Sequence, residues 1–141
     1  MKYWDASAIV PLLARQDCSQ AMEQLFLHDP EIITWWGSAV ECYSALMRLV
    51  REDKLDGAQQ HLAERRLTAL QDGWDEVMPT AAVRRTAKRL LRTHALRAAD
   101  ALQIAAALSA CDQEPERFEM VCLDVRLAEV ARREGFSSPL P

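Results

Sequence analysis

Short apolar runs alternate with longer amphipathic stretches along the chain, as expected for strands separated by helices. The short runs predict four strands, at residues 2–5, 31–34, 74–78 and 119–123, and leave open a fifth short strand at Phe136. One or two helices separate successive strands, which favours a parallel sheet covered by helices on both faces. The sequence therefore predicts an α/β fold, and no linker or repeat divides residues 1–141 into more than one domain.

The longer stretches have helical periodicity and are bounded by Pro and Gly. They predict helices over residues 7–16, 18–28, 38–53, 55–70, 80–94, 95–108 and 124–134. Gly135 is the expected C-terminal cap of the last helix. In the fourth helix, the spacing places Leu55, Ala58, Leu62 and either Leu67 or Ala69 on the buried face.

Composition places the chain among ordinary globular proteins. Half of the residues are hydrophobic, 27% are charged and the formal net charge is −4, so neither disorder nor a uniformly basic surface is indicated. No apolar run reaches the ~18 residues that span a bilayer, and segment 1–13 lacks the pattern of a secretory signal. A cytoplasmic protein without membrane contact is expected. The four cysteines form no Cys-x-x-Cys pair, so a zinc site is not expected.

Asp100 is unusual because its neighbours are almost all Ala, Leu or Ile. Segment 95–108, ALRAADALQIAAAL, contains no Gly or Pro and consists mainly of strong helix formers. A helix that is apolar on all sides is normally buried. A carboxylate in such a helix is costly unless it is paired, hydrogen-bonded or bound to a metal, so Asp100 is expected to have a specific partner.

Three further acids fall where predicted strands pass into helices. Asp5 ends the first strand, Asp124 follows the fourth, and Glu41 lies in the first turn of the helix after the second. Sites in open parallel sheets form beyond the carboxyl ends of strands, so these acids are expected at one edge; the pattern alone does not place Asp100 there. Each acid could instead cap a helix, and Ser38 with Glu41 has the spacing of a capping box.

A shared divalent cation accounts for the four acids together better than four separate caps. Carboxylates gathered at one edge repel one another, and repulsion and burial raise their pKa values unless a cation is present. Mg²⁺ and Mn²⁺ are hard ions that take oxygen ligands. The sequence therefore predicts a Mg²⁺ site, with Mn²⁺ as the alternative ion.

Four segments taken in order resemble the PIN-domain ribonucleases: MKYWDASAIV, SAVECYSALMR, LRAADALQIAAAL and VCLDVRLAEVARREGF. In its short length, the chain is most similar to the VapC-type toxins of bacterial toxin–antitoxin pairs. The resemblance implies a three-layer α/β/α domain with a central parallel sheet of four or five strands, in which Asp100 lies beside Asp5. It also implies metal-dependent cleavage of RNA, a small antitoxin protein as partner, and a homodimer.

The resemblance assigns roles to individual residues. The metal-binding and catalytic carboxylates would be Asp5, Glu41, Asp100 and Asp124, with Ser7 supporting the first of them. The family often has Thr or Ser two residues before the last acid, whereas this chain has Cys122, which weakens the expectation for Asp124. Arg126 could contact the scissile phosphate or pair with an acid.

A basic stretch precedes Asp100 and is the candidate surface for RNA. Residues 84–97 contain six cations and no acid: Arg84, Arg85, Lys88, Arg89, Arg92 and Arg97. An acidic site repels phosphate, so cations nearby are needed to hold the substrate; a solvated helix face is the alternative. Trp35 and Trp36 follow the second predicted strand and could stack on unpaired bases, although core or dimer packing is the simpler interpretation.

The sequence leaves other functions open. A phosphoryl-transfer enzyme of the haloacid-dehalogenase type needs a second Asp where Ser7 stands, and a receiver domain needs an acid after the third strand, where Met78 and Pro79 stand. A catalytically silent PIN-like interaction module is the remaining alternative. The presence of all four acids gives no reason to favour it.

Overall fold

Four short parallel strands form the centre of the structure, a computed structural model that describes residues 1–141. They are β1 (Lys2–Trp4), β2 (Ile32–Trp35), β3 (Asp75–Val77) and β4 (Met120–Val121), in the spatial order β3-β2-β1-β4. Beyond β4, Glu119 and Ser137 form one isolated parallel bridge. The fifth strand that the sequence left open next to Phe136 is thus reduced to this bridge.

Seven helices cover the two faces of the sheet. They are α1 (Ala6–Leu13), α2 (Ser19–His28), α3 (Ser38–Arg51), α4 (Gly57–Gly73), α5 (Ala81–Thr93), α6 (Ala98–Ala110) and α7 (Val125–Arg133), with a 3-10 turn at Pro115–Arg117. None of them combines the length and apolar composition needed to cross a membrane.

The alternation of side chains along β1 divides the core into two layers. Tyr3 points to the layer formed by α5, α6 and α7, whereas Trp4 points to the layer formed by α1 to α4, and both are fully buried. The predicted three-layer α/β/α arrangement around a parallel sheet is confirmed.

Local capping sets several helix boundaries. The Thr80 hydroxyl accepts a hydrogen bond from the Val83 N–H at 3.3 Å and begins α5. Gly135 has a φ of 106°, a left-handed conformation that side-chain-bearing residues rarely adopt, and it ends α7 as predicted. α4 begins at a capping box, in which Asp56 and Gln59 each accept a hydrogen bond from the other's backbone N–H, at 2.8 and 2.9 Å.

The predicted buried face of α4 is correct at Leu67 and wrong at Ala58 and Leu62. Leu55 precedes the helix, Ala58 and Leu62 are exposed, and α4 is buried through Ala63 and Leu67. The apolar residues of α4 are spread around the helix rather than along one stripe. Packing against α1 and α3, and not the residue pattern, therefore decides which side is buried.

Candidate active site

Asp5 follows β1 directly and is buried, with 4% of its surface exposed. Its Oδ2 accepts hydrogen bonds from the N–H of Ser7 at 3.0 Å and from the Ser7 hydroxyl, and the Cys122 thiol lies 3.7 Å away. Asp5 therefore caps α1. Its other oxygen, Oδ1, accepts no hydrogen bond from the protein, and it is not fully buried. The capping interpretation is thus confirmed for Oδ2, and it leaves Oδ1 without a hydrogen-bond partner in the protein.

Ser7 connects the first acid to the segment after β4. Its hydroxyl oxygen accepts hydrogen bonds from the N–H of Leu123 at 3.0 Å and of Asp124 at 3.3 Å, while its proton is donated to Asp5. Cys122 lies 3.7 Å from the same hydroxyl. Burial raises the pKa of the Cys122 thiol to about 12, so it stays protonated and acts as a weak donor. Ser7 therefore fixes Asp5 and the start of the Asp124 segment in one arrangement.

Glu41 lies in the first turn of α3 and is half-buried. Its side chain makes a single hydrogen bond, with the Gln103 amide nitrogen donating to Oε2 at 3.3 Å. Desolvation raises the pKa of Glu41 to about 7; the Gln103 hydrogen bond opposes the rise, and the negative charges of Asp5 and Asp100 add to it. The charged form of Glu41 is therefore disfavoured in the folded protein, and a nearby cation would stabilise it.

The capping box of Ser38 and Glu41, the alternative to a metal-binding role, does not form. Gly37 occupies the N-cap position of α3, and no side chain caps this end. The Ser38 hydroxyl instead faces the protein interior, 2.6 Å from the Thr34 hydroxyl and 3.0 Å from the Gln103 amide nitrogen. Glu41 is consequently free to face the other acids.

Asp100 occupies the first turn of α6 but is only half-buried, because the fully buried part of this helix begins with the next residue, Ala101. The expectation that this helix is buried is therefore correct, but the expectation that the Asp100 carboxylate is deeply buried is wrong. Its carboxylate forms neither a hydrogen bond nor an ion pair. Its charge nevertheless acts on Glu41, together with that of Asp5, so all three lie in one electrostatic group.

Asp124 is exposed and caps α7. Its Oδ1 accepts hydrogen bonds from the N–H groups of Arg126 at 3.0 Å and Leu127 at 3.1 Å. Burial is the main cause that raises the pKa of Asp5, the bonds from Ser7 and Cys122 oppose it, and the charge of Asp124 adds to it. Asp124 therefore belongs to the same group of charges.

The four acids are not neutralised by the protein. None of them forms a salt bridge with any Lys, Arg or His. No three Asp, Glu, His or Cys side chains converge closely enough to hold one metal ion, so the group is an electrostatic cluster rather than an assembled coordination sphere. Its chemistry fits a hard divalent cation, because the donors are carboxylate oxygens, two of the acids have raised pKa values, and Asp5 Oδ1 is free.

The predicted cations are all exposed. Arg89 forms a salt bridge with Glu134 Oε1 at 2.7 Å. The ring nitrogen Nε2 of His94 lies 2.9 Å from the other carboxylate oxygen of Glu134. No ion pair is formed by the other five of the basic stretch, Arg84, Arg85, Lys88, Arg92 and Arg97, or by Arg126. The salt bridge of Arg89 therefore joins α5 to the end of α7, whereas the remaining cations face solvent.

The two tryptophans have different positions. Trp35 is the last residue of β2 rather than part of a following loop, and it is buried in the α5–α7 layer. A Cβ at Gly37 would lie 2.5 Å from its indole nitrogen, so glycine is required there. Trp36 is half-exposed. Core packing is therefore correct for Trp35, while Trp36 is available to a partner.

The sequence prediction missed Gln103, which joins the site to the core. It is 1% exposed and contacts Tyr3, Ser38 and Glu41. The available signal was its spacing, since it is the one polar residue on the same helical face as Asp100, one turn further on.

The family model for the PIN domain matches residues 2–133, a range that includes all four acids. No curated protein matches the chain.

Proposed function

This chain belongs to the PIN domain family, whose members are generally metal-dependent nucleases, and on that premise we propose that it is an endoribonuclease that uses Mg²⁺ or Mn²⁺. The observation that carries the proposal is the group of four uncompensated carboxylates at the carboxyl end of the sheet. Burial and mutual repulsion disfavour its charged form, as the pKa of about 7 at Glu41 indicates.

We propose Asp5 and Asp100 as the principal metal ligands. Asp5 would bind through Oδ1, because Oδ2 is already held by Ser7 and Cys122. Glu41 and Asp124 would bind a second ion or act through water. A bound ion of this kind lowers the pKa of its water and neutralises charge on the phosphate. The part played by the protein is to orient the carboxylates and to hold them within one group of interacting charges.

RNA must approach an acidic site, so we propose that cations around it hold the backbone. Arg97 directly precedes α6, three residues before Asp100, and Arg126 follows Asp124 by two. Further along α5, the unpaired side chains Arg84, Arg85, Lys88 and Arg92 would contact more distant phosphates. Arg89 is the weakest candidate because its charge is already paired. Cleavage would leave a 5′-phosphate and a 3′-hydroxyl, as the family resemblance implies.

We further propose that the protein is the toxin of a type II toxin–antitoxin pair, with a small antitoxin as partner and a homodimer as its assembly. An exposed depression of about 470 Å³ between α3 and α4 supports a helical partner, since Val40, Tyr43 and Leu67 line it. Co-purification with the product of a neighbouring reading frame, and light scattering of the protein alone, test the two parts separately.

The nuclease proposal is tested with purified protein and total RNA. Cleavage is expected with Mg²⁺ or Mn²⁺, and EDTA or Asp5→Asn should abolish it. Asp72→Asn, on the exposed side of α4, is the matched control and should cleave normally. Cleavage that survives EDTA or Asp5→Asn contradicts the proposal. A protein that binds no Mn²⁺ by calorimetry and cleaves nothing would instead be the catalytically silent interaction module.

A further inference from the structure

The side chain of Gln103 lies at the centre of a buried polar network. Its Oε1 accepts a hydrogen bond from the Tyr3 hydroxyl at 2.6 Å. Its amide nitrogen lies 3.0 Å from the Ser38 hydroxyl oxygen and 3.3 Å from Glu41 Oε2. These contacts join α6 to β1 and to the first turn of α3. A polar side chain that is 1% exposed must satisfy its groups within the protein.

The direction of each bond in this network follows from the available protons. Thr34 has one hydroxyl proton and lies 2.7 Å from the Trp4 carbonyl, which can only accept, so Thr34 donates there. Ser38, 2.6 Å from Thr34, must then donate to it, and its oxygen accepts from Gln103. A flipped amide would place Oε1 against the Glu41 carboxylate. The orientation of Gln103 is therefore fixed.

The two amide hydrogens of Gln103 have separate acceptors. One is donated to Ser38, which completes the network within the core. The other is donated to Glu41, which receives no other hydrogen bond and has no cationic partner. Satisfying Tyr3 and Ser38 would need only one donor and one acceptor, so the second hydrogen is left for the carboxylate.

We propose that Gln103 is a positioning residue that holds the Glu41 carboxylate toward Asp5 and Asp100 in the orientation that binds metal. The inference rests on the proposed function, because it assumes that these acids share an ion. Groups that orient metal ligands typically change metal affinity or activity about 10- to 100-fold when they are removed. Gln103 acts through Glu41 and need not touch substrate.

The test compares Gln103→Met with Tyr3→Phe. The first removes the donor to Glu41; the second removes another buried hydrogen bond of the same network and leaves that donor in place. Mn²⁺ affinity, measured by calorimetry on folded protein, should fall about tenfold or more for Gln103→Met and less than threefold for Tyr3→Phe. In a Glu41→Ala background, Gln103→Met should cause no further loss. Equal losses in the two single variants, or an undiminished loss in the Glu41→Ala background, would overturn the proposal.

A second measurement needs no Gln103 variant and decides the case if Gln103→Met does not fold. The side-chain amide signals of Gln103 in wild-type protein are followed by NMR during Mg²⁺ titration. They should shift with saturation in the wild type and remain unchanged in Glu41→Ala; signals that do not respond in the wild type would contradict the role. If the wild type binds metal but cleaves no RNA, the proposed function fails while the inference on Gln103 stands.

Discussion

Replacing Glu41 by Gln is expected to stabilise the metal-free protein at neutral and higher pH. The folded-state pKa of Glu41 is about 7, against an ordinary value of 4.5. The folded protein therefore holds this proton more tightly than the unfolded chain does, and its contribution to stability is present below about pH 4.5 and is lost as pH rises through about 7.

The size of the effect follows from that difference. At about 1.4 kcal/mol per pH unit, raising the pKa from 4.5 to about 7 corresponds to about 3 kcal/mol. Glu41 is partly exposed, and solvent screening reduces this value. At each pH, the effect of Glu41→Gln is its free energy of unfolding minus that of the wild type. We expect this effect to be about 1–2 kcal/mol more stabilising at pH 8 than at pH 5.

Urea denaturation in EDTA between pH 5 and 8 measures this difference. Asp5, whose pKa is also raised, contributes to the slope of both proteins, so only the difference between the two curves isolates Glu41. Glu23→Gln, on the exposed side of α2, is the matched control. If the curves of unfolding free energy against pH were parallel for wild type and Glu41→Gln, with equal stabilisation at both ends of the pH range, the reasoning would be refuted.

Three other changes test separate parts of the site. Ser7→Ala should lower cleavage at least tenfold and stability by about 1–3 kcal/mol, since one hydroxyl serves three partners; unchanged urea midpoint and rate would contradict its supporting role. Cys122→Ser should retain cleavage within about threefold, because a hydroxyl can also donate to Asp5, and complete inactivity would show that the thiol has another role. Replacing Arg85 and Lys88 together by Ala should weaken RNA binding and lower the salt dependence by about one ion per cation. Arg89→Ala, measured by the same fluorescence anisotropy, should leave that dependence unchanged, and identical salt slopes in wild type and the double variant would exclude this face of α5.

The acids that end strands were predictable from the sequence, because the direction of parallel strands determines where their carboxyl ends lie. Asp5 and Asp124 follow β1 and β4, which pair directly, and the structure places them in one group of charges. Asp100 could not be placed in this way. Its helix precedes β4, and only the packing of α6 over the sheet brings its first turn to this edge.

Tertiary contacts overrode one local pattern. Ser38 and Glu41 have the spacing of a capping box, but the Ser38 hydroxyl is required by Gln103 and Thr34 inside the protein. A local motif can be read from spacing, whereas a buried polar partner 65 residues away in sequence cannot. The same limit explains why the central role of Gln103 was not predicted.

The pairing of β1 with β4 has a consequence for protein synthesis. Asp5 leaves the ribosome more than 100 residues ahead of the strand beside it and of the Ser7-bound segment at Asp124. A nascent chain that stops short of this segment cannot assemble the acidic group, however well its earlier helices have formed. The ribosome that makes this protein is thus exposed to the complete acidic group only after translation has passed residue 124.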